Sequence, residues 1–186
     1  MDIVVRRATL DDVSALVDVA ALTFPLACPP YHSAENIRAH IDAYLSHDRF
    51  VEYVSNDDFT LFAADMAGSI IGYVLIDYRV STEPDVSTLL ADARPVAELS
   101  KLYVHPEFHG VGIAHVMLDQ ALADAGLRGI RAVWLTVAQS NARANAFYEK
   151  SGFANVANRE YRVGNLIDDD FLRVRALDPQ ARILEA

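Results

Sequence analysis

The feature that most constrains this chain is one stretch: Glu98-Leu-Ser-Lys-Leu-Tyr-Val-His-Pro-Glu-Phe-His-Gly-Val-Gly-Ile-Ala-His115. Ala97 to Val104 reads as a strand, and Pro106 blocks its continuation. Gly110 and Gly112 stand at the mouth of a helix predicted over Gly112 to Ala125, with Ile113, Val116, Met117, Ala121 and Leu122 on one face. A strand, a glycine turn and a helix start aim several backbone N–H groups at one point, with the helix dipole behind them. That is an anion site suited to a phosphate, provided no side chain keeps the phosphate from the backbone. The competing reading is a tight turn that only caps a helix. A kinase-type P-loop fails, because Ile113-Ala114 follows Gly112 where Lys-Ser/Thr is needed. The dinucleotide fingerprint fails too, since His115 replaces its third glycine and the next strand, ending Leu135-Thr-Val-Ala-Gln139, carries no acid.

Around this stretch the periodicities place a strand at Ile3 to Arg7 and helix-start chemistry at Thr9-Leu10-Asp11. Val13, Leu16, Val17, Ala20 and Ala21 follow at helical spacing. A loop from Phe24 to His32 is broken by Pro25, Pro29 and Pro30, and Ser33 caps a second helix with an inner face of Ile37, Ile41, Tyr44 and Leu45. Thr60 to Asp65 and Ser69 to Tyr78 form a hairpin about Ala67-Gly68. Thr82 to Arg94 is an acidic connection with a short helix near Val86 to Ala91. Ala132 to Val137 is a strand, Asn141 to Ser151 a helix stopped by Gly152, and Ala154 to Arg162 and Asp170 to Leu177 are closing strands. Hairpins early and a strand-helix-strand-helix unit late predict an α/β sandwich around a partly antiparallel sheet.

A length of 186 residues suits a single domain, 1–186. No apolar run is long enough to span a bilayer, and Met1 to Arg7 lacks the pattern of a secretory signal. Cys28 is the only cysteine, so a cytoplasmic protein is expected. The formal net charge of -10 argues against a nucleic-acid partner and is compatible with a cationic small substrate, or simply with a solvated acidic surface.

His109-Gly110-Val111-Gly112-Ile113-Ala114 resembles the Arg/Gln-x-x-Gly-x-Gly/Ala signature of the GCN5-related N-acetyltransferase (GNAT) superfamily. Asn141-Ala-Arg-Ala-Asn-Ala-Phe147-Tyr148-Glu-Lys-Ser-Gly152-Phe153 is similar to its second signature, Asn-x-x-Ala-x-x-Phe-Tyr-x-x-x-Gly-Phe. The resemblance covers Ile3 to about Leu177 and departs at His109, where Arg or Gln is usual. It implies a mixed central sheet of about seven strands flanked by about four helices, with a splayed fourth strand. It also implies acetyl transfer from acetyl-coenzyme A, with no metal. Leu102, Tyr103 and Val104 would line the pantetheine arm, and His109 to Ala114 would hold the phosphates. Asn141 and Phe147 would also contact the cofactor. Neutral His109 would make cofactor binding depend on pH.

Acetyl transfer to an amine needs a base for the ammonium proton, a donor for the oxyanion and an acid for the leaving thiolate. By resemblance, Glu98 is the base, directly or through water, and a half-buried carboxylate there would have a raised pKa. A backbone N–H of Leu102 to Val104 is the donor, and Tyr148 is the acid. Apolar Leu99 lies on one parity of its strand and Leu102 and Val104 on the other, as a bulge would produce. Each residue also has a plain structural use: a strand-end ion pair for Glu98, a buried ring for Tyr148, a helix cap for Asn141.

The N-terminal third looks like the polyamine and small-amine branch, with Ser33-Ala-Glu-Asn36 as a helix start after a loop. Tyr31, Glu35, Tyr78, Glu83 and Asp85 are candidates to meet an acceptor ammonium, or ordinary surface residues. His105 and His109 lie in a loop, and His40 and His47 are expected on the surface, so no metal site is expected. The acceptor is expected to be a small primary amine, polyamine-like or amino-acid-like. The alternatives are a protein or peptide acceptor and a non-catalytic acyl-coenzyme A sensor. No membrane partner is expected, and a homodimer fits the family.

Overall fold

A computed structural model of the chain describes residues 3–163 and 166–184, and side chains at all of these except 161–163 and 166. Met1-Asp2, at the head of the N-terminal stretch considered above, lies outside the described residues. Seven strands are hydrogen-bonded in the order β1-β2-β3-β4-β5-β7-β6. They are β1 Ile3–Arg7, β2 Phe59–Met66, β3 Ser69–Asp77, β4 Val96–Val104, β5 Ala132–Ala138, β6 Ala154–Val163 and β7 Leu166–Ala176. The helices are α1 Val13–Ala27, α2 Ala34–Tyr44, α3 His47–Ser55, α4 Pro84–Leu89, α5 Ile113–Leu127 and α6 Ala142–Lys150. The expected mixed, partly antiparallel α/β sheet is present, with two helices more than the four expected: α3, which the sequence reading missed, and the short α4. The chain forms two compact units, one of Met1–Asp77 with Ser100–Ala121 and one of Tyr78–Leu99 with Leu122–Ala186.

In the first unit β1, β2 and β3 form an antiparallel meander. Both parities of β2 are buried, with Phe59, Leu61 and Ala63 on one side and Thr60, Phe62 and Ala64 on the other. This explains its nearly continuous apolar run. Phe59, Leu61 and Ala63 meet Val13, Leu16, Val19 and Ala20 of α1 and Phe50 and Tyr53 of α3 in one core. The hairpin turn falls at Ala67 (φ 53°) and Gly68 (φ 86°), the two left-handed positions that a tight hairpin demands. Arg6 binds Asp12 through two 2.8 Å bonds and Asp65 through a third of 2.8 Å, tying β1, the turn before α1 and β2 together. Thr9 is the helix cap expected, and its partner is Asp12, which accepts from the Thr9 amide at 2.7 Å and hydroxyl at 2.9 Å.

Three expectations fail here. Pro25 lies inside α1, which runs to Ala27, so the loop begins at Cys28. A proline this near a helix end removes one hydrogen bond and leaves the few residues after it able to stay helical. Tyr44 is exposed rather than on the inner face of α2. Val116 is likewise exposed, and α5 instead buries Ile113, Met117, Leu118, Ala121, Leu122 and Ala125.

In the second unit β4 pairs in parallel with β5 over Val96↔Ala132, Ala97↔Val133 and Glu98↔Trp134. β5 pairs antiparallel with β7, and β7 with β6. β7 starts earlier than expected, at Leu166. Ala132, Trp134, Leu172 and Val174 share a core with Val86 and Leu90, so α4 and the residues after it cover that face of the sheet. Among the described residues, no helix is long and apolar enough to cross a membrane.

Candidate active site

The glycine loop belongs wholly to the first unit. After β4 a single 3₁₀ turn, Pro106–Phe108, is capped by His105, whose Nδ1 accepts from the Glu107 amide at 3.3 Å. Gly110 (φ 83°) and Gly112 (φ 88°) then adopt the left-handed conformation, and a Cβ at either would meet nothing within 4 Å. The glycines are therefore required by backbone conformation, and they leave open space on the loop. Among the described residues, the amides of Gly110 to Ala114 donate no backbone hydrogen bond; the first backbone donor after the loop is His115, to the Gly112 carbonyl at 3.1 Å. Five consecutive amides at a helix N-terminus are what a diphosphate would take.

His109 has a role the sequence did not show. Its Nε2 lies 2.8 Å from the Val104 carbonyl and ties the loop to the end of β4. With that N–H donated to a carbonyl, the neutral ring offers Nδ1 only as an acceptor, and only the protonated ring offers a second N–H to a phosphate. Leu102 and Tyr103 are half-buried and Val104 is buried. Burial moves from Ala97 and Leu99 to Val104, the expected change of parity. Gly72 of β3 makes room for this strand: a Cβ there would lie 2.8 Å from the Tyr103 carbonyl oxygen and 3.1 Å from Met117.

The second signature belongs wholly to the second unit. Asn141 caps α6, its Oδ1 accepting from the Ala144 amide at 3.0 Å. Gly152 (φ 81°) ends the helix as expected. Phe147 and Tyr148 are half-buried, and the Tyr148 ring stands edge-on to Phe147 (5.3 Å) and Phe153 (5.7 Å). Among the described residues its hydroxyl makes no hydrogen bond, and burial alone raises the phenol pKa well above its ordinary value. The phenol therefore stays protonated through neutral pH.

Two residues that the sequence reading passed over hold α6 in place. The Asn145 amide donates to the carbonyls of Ala138 (2.9 Å) and Asn141 (2.9 Å), and its Oδ1 accepts from Arg173 Nε at 3.1 Å. Arg173 also donates to the Phe153 carbonyl at 3.1 Å. Both residues are buried, so the network is shielded from water. A charged Arg173 inside the apolar run Phe171 to Val174 was the available signal.

The registers also fix which side each group faces. Glu98 pairs with Trp134, and Trp134 with Val174, so Glu98 shares the sheet face covered by α4. Arg173 and Arg175 have the opposite parity and reach α6, the latter bonding the Ser151 carbonyl at 2.9 Å. Within this unit the carboxylate of Glu98 and the helix carrying Tyr148 thus lie on opposite faces of the sheet.

The acceptor candidates fare unevenly. Tyr31 and Glu35 are exposed, and Ser33 caps α2 by accepting from the Asn36 amide at 3.1 Å. Tyr78 donates to Asp124 at 2.9 Å beneath the Arg128 guanidinium, and Arg159 engages both Glu83 (2.7 Å) and Asp85 (3.4 Å). His40 is not a surface residue. It is half-buried and stacks on Phe24 at 4.3 Å, and burial, then Lys101, lowers its pKa to about 4. No group of three or more His, Cys, Asp or Glu able to hold a metal ion is present among the described residues.

Known proteins resemble this chain in sequence and in fold. The family described as Acetyltransferase (GNAT) family matches residues 22–153, a span that includes parts of both units. An uncharacterised N-acetyltransferase of Mycobacterium tuberculosis is 39% identical over 168 residues, covering 90% of this chain and 99% of that protein. In fold, the chain is similar to the PaiA N-acetyltransferase of Thermoplasma acidophilum solved in complex with coenzyme A, with a TM-score of 0.74, 23% identity, and coverage of 95% of this chain and 99% of that one. It is also similar to the ribosomal-protein-S18-alanine N-acetyltransferase of Escherichia coli, with a TM-score of 0.68, 18% identity, and 95% coverage of each chain.

Proposed function

Because the chain belongs to the GNAT acetyltransferase family, we propose that it transfers the acetyl group of acetyl-coenzyme A directly to a primary amine of a small molecule, polyamine-like or amino-acid-like. The observation that carries the reading is the run of unbonded amides from Gly110 to Ala114, which fits the diphosphate of the cosubstrate. Both compact units contribute to the matched span, and we read 1–186 as one catalytic domain.

In this reading Leu102, Tyr103 and Val104 line the pantetheine arm and a backbone N–H of that strand meets the carbonyl oxygen, while Asn141 and Phe147 add contacts from α6. Glu98 takes a proton from the ammonium, directly or through water, so that nitrogen attacks the thioester carbon. As the C–N bond forms and the C–S bond breaks, Tyr148 gives its proton to the sulfur, and the second proton, shed by the nitrogen as it becomes an amide, returns through solvent to the tyrosinate. The lone Cys28 supports a cytoplasmic enzyme. A homodimer, common in the family, belongs to the same reading, and light scattering tests it.

Thiol release from acetyl-coenzyme A across polyamines, amino acids, aminoglycosides and peptides, with mass spectrometry of the products, tests the proposal. Acetylated small amines are expected; products only from peptides, or none at all, overturn it. Tyr148→Phe is expected to lower kcat at least about tenfold with acetyl-coenzyme A affinity retained, and unchanged kcat would remove Tyr148 as the acid.

A further inference from the structure

Arg173 lies on an interior strand, with Leu135 of β5 on one side of it and Asn155 of β6 on the other. It is 7% exposed, and among the described residues no carboxylate pairs with it. Its hydrogen-bond partners are two neutral oxygens instead. Nε donates to Asn145 Oδ1 at 3.1 Å, and Nη1 donates to the Phe153 carbonyl at 3.1 Å. A buried guanidinium without a counter-ion is costly, and an apolar side chain of similar volume would serve the fold as well or better. Stability is therefore a poor reason for an arginine here.

Both partners adjoin Tyr148. Asn145 precedes it on α6 at the spacing that puts two side chains on the same side of a helix. The Asn145 amide also donates to the Ala138 carbonyl at the end of β5, at 2.9 Å. Phe153 follows the helix. Its amide donates to the Tyr148 carbonyl at 2.9 Å, and its ring meets the Tyr148 ring edge-on at 5.7 Å. Arg175, next on the same face of β7, holds the Ser151 carbonyl at 2.9 Å. One planar guanidinium thus grips the chain before and after Tyr148. With no hydrogen bond on its own hydroxyl, the Tyr148 ring takes its direction from these neighbours.

We propose that Arg173 is a positioning residue for the acid step: acting through Asn145 and Phe153, it fixes the direction in which Tyr148 presents its hydroxyl. This rests on the acyl-transfer reading, in which Tyr148 protonates the leaving sulfur. Lysine is no substitute, because one ammonium on a flexible stem lacks the rigid fork that spans two separate oxygens. A proton donor held slightly out of place loses much of its rate advantage, since a slip of about 1 Å costs on the order of a hundredfold.

The first test needs no acceptor. Protein labelled with carbon-13 at the tyrosine Cζ is titrated by NMR, with the Tyr148 signal assigned from Tyr148→Phe. In the wild type, burial is expected to keep Tyr148 a neutral phenol at about pH 11, above the ordinary tyrosine pKa of about 10. In Arg173→Lys the ring is expected to reach water and to ionise by that pH. The second test is thiol release from acetyl-coenzyme A with spermidine and with lysine. Arg173→Lys is expected to lower kcat about tenfold and to leave the KM for acetyl-coenzyme A within about twofold. In a Tyr148→Phe background the same change is expected to cost less than about twofold, because residues that act as one unit are not additive. Asn145→Ala cuts only the α6 side and is expected to follow with a smaller loss; it replaces the first variant if melting curves show that one unfolded. An unmoved Tyr148 signal, an unchanged kcat, an equal loss with and without the tyrosine hydroxyl, or loss of fold in both variants, overturns the proposal. No turnover with any amine counts against acyl transfer, while the Tyr148 signal still decides whether Arg173 places the ring.

Discussion

Asp12 and Asp170 are equally buried, at 8% and 6% exposure, yet their environments push them in opposite directions. Asp12 sits in the N-terminal unit with both oxygens on the Arg6 guanidinium and a further bond from the Thr9 amide, which hold its carboxyl well below the usual carboxylate range. Asp170 sits in the C-terminal unit near Asp168 and with no donor of its own, and its pKa rises to about 6. At Asp12 the Arg6 bonds outweigh the cost of burial, whereas at Asp170 burial itself is the largest influence. Asp12 holds β1, a turn and β2 in place. Asp170 has no such structural partner, and its burial costs stability when it is ionised.

Three substitutions separate these roles. Asp12→Asn is expected to lose about 2 kcal/mol at neutral pH, because Arg6 keeps its charge and loses its matched partner. The folded pKa of Asp12 is depressed, so its contribution is present above the unfolded value of about 3.9 and lost as pH falls through the folded one. Urea titrations of the two proteins should therefore converge as the pH drops below about 4. Asp170→Asn is expected to do the reverse. A raised carboxyl pKa gives stability that is present below the unfolded value and lost as pH rises through about 6. The variant should then be more stable by about 1 kcal/mol at pH 8 and equal to wild type near pH 4. A variant that is less stable at pH 8 would show that Asp170 has a donor and erase the contrast. Asp65→Asn is expected to be the mildest, at about 0.5 kcal/mol in the same titration, since Asp65 adds a second, more open carboxylate to an Arg6 already bound to Asp12.

The fold was largely legible because local chemistry agreed with tertiary need at Ser33, Ala67-Gly68, Asn141 and Gly152, where each cap or turn residue does in the structure what its type predicts. The glycine loop was legible for the same reason: Gly110 and Gly112 are needed by their own backbone conformation, with no distant partner involved. What was hidden depends on partners far away in the chain. Asn145 reads as one more polar residue of α6 until Arg173 is brought to it across 28 residues. Asp168-Asp169-Asp170 reads as a solvated acidic run until strand register turns alternate members to opposite faces. Pro25 and α3 were misjudged because packing on the core overrides local propensity. His40 was placed on the surface because nothing in its neighbourhood announces the ring of Phe24.

The central claim is that the open amides of Gly110 to Ala114 hold acetyl-coenzyme A by its diphosphate. Calorimetric titration of coenzyme A into the wild type and into Gly112→Ala, with melting curves to confirm folding, tests it most directly. The wild type should bind one equivalent, and the variant should bind at least about tenfold more weakly, because an alanine resists the left-handed conformation and its methyl group occupies the space the phosphate needs. No binding to the wild type, or equal binding to a folded variant, would contradict the account.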